Sequence, residues 1–556
     1  MKYRWLLLLT ILGLTLFLGA CSNSMEGMDH DMPEMDNEKQ PTDNQNEEVT
    51  SPENTLTSTV ATEVITDNEF TIVAQERQHS LNKDESVLAW TFNGSVPGPQ
   101  IRVTEGENVK VNLKNELTDP VTIHWHGLPV PNNMDGIPGV TMNAVQPGET
   151  FTYEFNASVP GTYWYHSHQD GVNQVDKGLY GSFIIEPKEG LDVDRDYTLV
   201  LDEWIGSNGM QMENEAEHDM DNMSSNESTD EDSDSSSMEG MDHSGMDMDD
   251  DSMEEMDHEE GDSSMGHDMS MYNIFTINGK SGDMIEPLQV KEGEKVRIRL
   301  VNAGFMSHKF HIHGQDIKVV SSDGQQISNP GTFRDQLIQV APGERYDIEF
   351  IADKPGNWWI ECHGEMEGTD GMKIQLQYEG YNGQQDAPNA DESLPLFDLV
   401  NYGEKEQTVF TLDQAYDIEY TMDLNTEMDN SGMIYTINGK AYPKTEEIVV
   451  QEGDLVKVKL VNNSETDDHP MHLHGHFFQV LSKNGKPLDD AVIMKDTLNL
   501  KPGEEYEVAF KADNTGDWMF HCHDLHHASA GMVTKVTYEG FKPDFTPDPN
   551  ANNQPE

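Results

Sequence analysis

The 556-residue sequence predicts an all-β protein made of three homologous sandwich domains, and three observations carry that expectation. From about residue 58 the chain runs as short alternating apolar stretches punctuated by Gly and Pro, the pattern of half-buried strands joined by tight turns. A set of landmarks occurs three times, the second and third copies offset by 160 or 161 residues throughout. With only three cysteines (Cys21, Cys362 and Cys522), no disulfide framework holds the protein together, so packed cores must.

Taken in order, residues 1–20 read as a secretory signal: Lys2 and Arg4 precede an apolar run from Trp5 to Leu18. Leu18-Gly19-Ala20-Cys21 resembles a bacterial lipobox, which makes Cys21 the expected lipidated first residue, with an uncleaved anchor as the competing reading. Either way the expected location is extracytoplasmic, on the cell membrane. Residues 21–57 are polar and read as a flexible tether.

Each domain then repeats one grammar. The first (58–190) has Asn93-Gly94, Val103-Thr-Glu-Gly-Glu-Asn-Val109, His124-Trp-His126-Gly127, Pro147-Gly-Glu149 and His166-Ser-His168. The second (191–380) has Asn278-Gly279, Val290-Lys-Glu-Gly-Glu-Lys-Val296, His311-Ile-His313-Gly314, Pro342-Gly-Glu344 and Glu361-Cys-His363. The third (381–541) has Asn438-Gly439, Val450-Gln-Glu-Gly-Asp-Leu-Val456, His472-Leu-His474-Gly475, Pro502-Gly-Glu504 and His521-Cys-His523. Residues 542–556 are rich in Pro, Asn and Asp and show no sign of a packed element.

The second domain carries an insertion, 207–271, with 23 Asp or Glu, no Lys or Arg, 13 of the chain's 31 methionines and four histidines. Ser237-Met-Glu-Gly-Met-Asp-His243 repeats Ser24-Met-Glu-Gly-Met-Asp-His30 of the tether word for word. So much like charge and so little apolar surface predict disorder. Thioethers suit Cu(I), while carboxylates and imidazoles suit Cu(II), so weak copper capture by Met238, Met241, His243, Met246, Met248, Met253, Met256 and His258 is the functional reading. An acidic solubilising spacer is the bland one. The net charge of −69 excludes nucleic acid as a partner and admits metal cations. No dinucleotide fingerprint, phosphate loop or serine triad occurs.

Chemistry concentrates in His521-Cys-His-Asp-Leu-His-His-Ala-Ser-Ala-Gly-Met532. On a strand, alternate side chains take opposite faces, so His521 and His523 look one way and Cys522 the other. His527 and Met532 follow at a spacing that completes a Cys/His/Met copper site. By the same parity His472 and His474 share a face, and His469 belongs with Cys522.

These motifs resemble the cupredoxin domains of multicopper oxidases, over nearly all of residues 58–541. The resemblance implies three cupredoxin-like Greek-key sandwiches and four copper ions. It implies a type 1 copper on His469, Cys522, His527 and axial Met532, and a type 2 copper on His124 and His472. The type 3 pair would take His126, His166, His168, His474, His521 and His523. Asp135 resembles the carboxylate that serves the type 2 side, whereas His526 stands where several relatives carry an acid. Ser167 and Val121 deny the first domain a type 1 site. In the second domain, a His308/Cys362/Glu367/Met372 metal site is weighed against a relic in which Cys362 is a small buried hydrophobe, and the relic is preferred. Met494 and Asp496 are noted as a weak substrate-metal candidate, with a structural role preferred.

The expected reaction is oxidation of a reductant, first of all Cu(I), coupled to reduction of dioxygen to water, in copper tolerance. Laccase-like oxidation of phenols, aromatic amines or Mn(II) is the alternative within the class. Copper storage without turnover is the alternative outside it.

Overall fold

The computed structural model describes residues 62–207, 269–364, 366–381, 393–404, 408–429, 432–488 and 492–556. The signal, Cys21, the tether and the eight named capture residues from Met238 to His258 lie outside the described residues.

Six sheets form three sandwiches. Strands Glu69–Ser80, Ser86–Phe92, Asn108–Asn115 and Thr150–Asn156 make one face of the first. Its other face holds His124–His126 beside Gly161–His166. The third sandwich repeats this with His469–Leu473 beside Asp517–Cys522, which is central between His469–Leu473 and Val533–Tyr538. The second places His308–Ile312 beside Asn357–Cys362.

Local sequence explains the repetition. In each Asn-Gly pair both residues have positive φ: Asn93 +56° and Gly94 +81°, Asn278 +51° and Gly279 +68°, Asn438 +55° and Gly439 +70°. That is the tight two-residue turn whose twist matches a hairpin, and Asn-Gly is its favoured occupant. The middle residue of each HxH faces its own core. Trp125 is fully buried and packs on Tyr153, Phe155, Tyr165 and Phe183, while Ile312 and Leu473 sit in the second and third cores. Burying such a side chain contributes roughly 1.5–3 kcal/mol, enough to hold the strand parity that turns both imidazoles away from the core.

Ion pairs join the sandwiches. Asp196 of the second receives Arg102 of the first (2.5 Å) and Arg299 (2.8 Å), and Arg299 also reaches Asp347 (3.2 Å). Arg345 of the second pairs with Asp496 of the third at 2.6 Å, both fully buried.

Candidate metal centre

Strand register builds the site. His124 lies opposite His166, and His472 opposite His521, so each pair shares one sheet face. The two faces meet between the first and third sandwiches. His124 stacks on His474 with ring centroids 4.0 Å apart, and His126 stacks on His472 at 3.7 Å. All eight imidazoles are at most 2% exposed.

Acceptor oxygens fix their tautomers. The Nδ1–H groups of His124, His166, His168, His472 and His521 donate to the carbonyls of Asp135 (2.9 Å), Ser167 (2.8 Å), Pro555 (2.5 Å), Asp496 (3.0 Å) and Cys522 (2.9 Å). His474 Nδ1–H donates to Asp135 Oδ2 at 2.9 Å. A carbonyl or carboxylate oxygen can only accept, so these six rings present an Nε2 lone pair to the interior. His126 is the reverse: its Nε2 meets Thr497 Oγ1 at 3.0 Å, which leaves Nδ1 inward. Nitrogens of His124, His126, His166, His168, His472 and His523 are buried without any hydrogen-bond partner. Burial, then repulsion among the rings, pushes His126, His166, His168 and His474 down, His168 to about 3, so these four stay neutral ligands at physiological pH. Donor atoms gather as His126/His166/His523, as His168/His474/His521 and as His124/His126/His472, each set within 4.8 Å, so His126 belongs to two of the three.

On the opposite face of the same strand, Cys522 Sγ lies 3.8 Å from His469 Nδ1 and 3.6 Å from His527 Nδ1, and the two nitrogens are 3.2 Å apart. Burial holds His469 down at about 3, so two lone pairs and a thiol converge on one point. This triangle suits a cation held by two imidazoles and a thiolate. Met532 is fully buried in the same core, and its carbonyl accepts from Cys522 N at 3.0 Å.

Profiles described as multicopper oxidase match residues 73–190, 247–380 and 407–540. The multicopper oxidase MmcO of Mycobacterium tuberculosis is 30% identical over 465 residues, covering 81% of this chain and 83% of its own. The chain belongs to the multicopper oxidase family. Copper resistance protein A of Escherichia coli is 25% identical over 561 residues, covering 81% of this chain and 89% of its own. The crystal structure of Fet3p, a multicopper oxidase that functions in iron import, superposes with a TM-score of 0.65 at 21% identity, over 86% of this chain and 91% of that one. The fold is therefore that of the cupredoxin-type multicopper oxidases. The enzyme uses four coppers and oxidises its reductant with dioxygen, and its orphaned imidazole nitrogens and the Cys522 triangle fit that complement.

This multicopper oxidase departs from the sequence reading in several places. The last residues show no sign of a packed element in sequence, yet Asn552, Asn553 and Gln554 hydrogen-bond to Gln169 (2.8 Å), Ala144 (2.8 Å) and Asp170 (2.8 Å). They carry Glu556 into the cage, where its carboxyl lies 3.4 Å from His168 Nε2 and 3.2 Å from His521 Nδ1. Burial pushes that carboxyl well above the usual range. The segment packs through backbone and amide hydrogen bonds rather than apolar side chains, so hydrophobic patterning had nothing to register.

In the second domain, Glu367 is exposed while Cys362 and Met372 are buried in the core. His308 is taken by Glu203 at 3.1 Å. Cys362 Sγ and His308 Nδ1 remain neighbours at 3.9 Å, while exposed Glu367 stands outside the core that holds Cys362 and Met372. Asp496 is fully buried and Met494 half-buried, so they form no surface metal site. Instead Asp496 supports the cage, 3.3 Å from His126 and 3.5 Å from His472. Arg345 was missed altogether. It follows the Pro342-Gly-Glu344 turn, and a Cβ on Gly343 would meet the rings of His523 (2.9 Å) and His126 (3.1 Å), so the second domain closes one wall of the cage. Beside the type 1 triangle, Asp524 caps the helix Leu525–Ser529 and lies 3.4 Å from both His526 Nδ1 and His527 Nε2, a carboxylate two residues before position 526.

Proposed function

We propose that the type 1 copper is held by His469, Cys522, His527 and Met532. In the same reading the type 2 copper is held by His124 and His472, and the type 3 pair by His126/His166/His523 and His168/His474/His521. Held by these residues, four coppers would supply one-electron oxidation of the reductant and the four-electron, four-proton reduction of dioxygen to two waters. Cys522 sits one peptide bond from His521 and one from His523, so the protein supplies a short covalent path between the sites. Asp135 grips His474, and its Oδ1 has no hydrogen-bond partner, which leaves it able to hand on protons. Asp496 is unsuited to that task. Against the upward push of burial, the Arg345 guanidinium keeps its carboxyl far below the usual carboxylate range, so it remains an anion that orients His472 and His126.

The reductant we propose is Cu(I), and one observation carries this. Met428 and Met433 are cross-strand partners on the Ile418–Asp429/Gly432–Ile437 hairpin, 73% and 52% exposed. Tyr435 O–H donates to Met433 Sδ at 3.0 Å, and the Tyr435 ring stacks on His527 at 3.9 Å. A pair of soft thioethers at the surface is thus joined by one aromatic ring to a type 1 ligand. The acidic methionine segment and the similarity to copper resistance proteins support the same reading, and we propose with it an extracytoplasmic location, lipid-anchored through Cys21.

Oxygen consumption with Cu(I) and with a simple phenol tests it in the Met428→Ala/Met433→Ala variant. The expected result is a fall in kcat/KM for Cu(I) of about tenfold, near 1.4 kcal/mol, with the phenol rate unchanged. No change for Cu(I), or equal falls for both, rejects the hairpin as the Cu(I) approach.

A further inference from the structure

The second domain keeps a histidine set that the copper cage does not use. His311 lies opposite Glu361 in the strand register, as His472 lies opposite His521 in the third domain. The rings of His311 and His313 are 4.0 Å apart by centroid, and His363 is 5.5 Å from the first and 5.8 Å from the second. One nitrogen from each of the three lies within 4.8 Å of the others. Both ring nitrogens of His311, and Nε2 of His313 and of His363, are buried atoms without a hydrogen-bond partner. Glu361 Oε1 stands 2.9 Å from His313 Nε2 and 3.8 Å from His363 Nε2, although His313 Nε2 makes no hydrogen bond to it. Asp335, 56% exposed, lies 3.5 Å from His311 Nε2 on the solvent side.

Histidines in a core are ordinarily satisfied by an acceptor oxygen, as six of the eight cage rings are at Nδ1, five by a carbonyl and His474 by the Asp135 carboxylate. Here four nitrogens on three neighbouring rings are left open around a carboxylate. Nitrogen pairs at this spacing, with a carboxylate oxygen among them, are the edges of a small coordination polyhedron.

We propose that His311, His313, His363 and Glu361 form a fifth metal site, mononuclear and distinct from the four-copper set, for a borderline divalent cation, Cu(II) or Zn(II). Three imidazoles and one carboxylate suit such ions, and Cu(II) binds more tightly than Zn(II) to a given nitrogen/oxygen site. Cys362 does not take part: as the middle residue of Glu361-Cys-His363 it faces the core, 3.9 Å from His308 Nδ1. The site therefore lacks a thiolate and is colourless with Zn(II). With side chains 5–17% exposed it is more open than the cage, so it exchanges its ion with solvent more readily. Replacement of a histidine by Glu361 turns a cluster position into a neutralising ligand. Burial, and then the neighbouring rings, pushes His311 down, which keeps its lone pairs available.

Calorimetric titration with Zn(II) of the protein holding four coppers, first dialysed against EDTA so that the more open site is empty, tests this. The His311→Ala/His363→Ala variant serves as comparison, and its intact blue band is the check on folding. The acidic methionine segment contributes equally to both proteins, so the difference reports the site. The expected difference is one equivalent of Zn(II), with oxidase activity unchanged. Equal stoichiometry in the two proteins overturns the proposal. If the double variant does not fold, His313→Gln is titrated instead. A drop of at least tenfold in affinity for one equivalent supports the site, and wild-type binding overturns it.

Discussion

Asp135 Oδ2 accepts the Nδ1 proton of His474 at 2.9 Å across the join between the first and third domains. Its own backbone carbonyl takes the Nδ1 proton of His124 at 2.9 Å. One residue therefore sets the tautomer of a ring from each side of the cage. Its loop is fixed from beneath, because Gly136 has φ +84° and a Cβ there would meet Ile123 O at 1.8 Å.

Two substitutions at Asp135 separate support from proton transfer. Asp135→Ala removes the acceptor, and loss of such an outer partner costs about 10–100-fold in metal affinity or activity. Copper content by atomic absorption should fall with the rate. Asp135→Asn keeps an acceptor oxygen but no titrating group, so copper content should hold while kcat falls and its pH profile changes. Full activity in both variants would remove Asp135 from the mechanism.

Removal of residues 550–556 deletes the hydrogen bonds to Gln169 and Asp170 and withdraws Glu556 from beside His168 and His521. Copper should then leave faster to a chelator, by about tenfold if the lost partner of His168 behaves as other outer-shell groups do. Copper release at the unmodified rate would show that the segment only rests on the cage.

Asp196 tests the join between the first two domains. Burial raises its carboxyl, but Arg299 and then Arg102 outweigh that and hold it at about 2. A carboxylate whose folded value lies below its unfolded one binds fewer protons when folded. Its stabilisation is therefore complete above about pH 4 and is lost as pH falls towards 2. Asp196→Ala removes the carboxylate that two buried guanidinium groups share, leaving Arg102 to Glu186 and Arg299 to Asp347, and should cost about 3 kcal/mol at pH 7 by denaturant unfolding. The variant should also show a shallower loss of stability between pH 4 and 2.

The parts of this enzyme legible in sequence were those written in local period. Strand parity separated His521 and His523 from Cys522, and the threefold repeat aligned Glu361 with His521, which the register reproduces. Long-range contacts between polar groups left no such trace. Arg345 meets Asp496 across 151 positions, and Pro555 meets His168 across 387, with no periodicity to link either pair. The segment ending in Glu556 has too little apolar patterning to signal a packed element, although amide and backbone hydrogen bonds hold it.

The role proposed for Cys522 is to link the site at which electrons enter to the histidine cage. Visible absorption and steady-state oxygen uptake of copper-loaded Cys522→Ser test it. Loss of the intense blue band and of turnover is expected, with three coppers still bound by analysis. A variant that stays blue, or consumes oxygen at the unmodified rate, would contradict it.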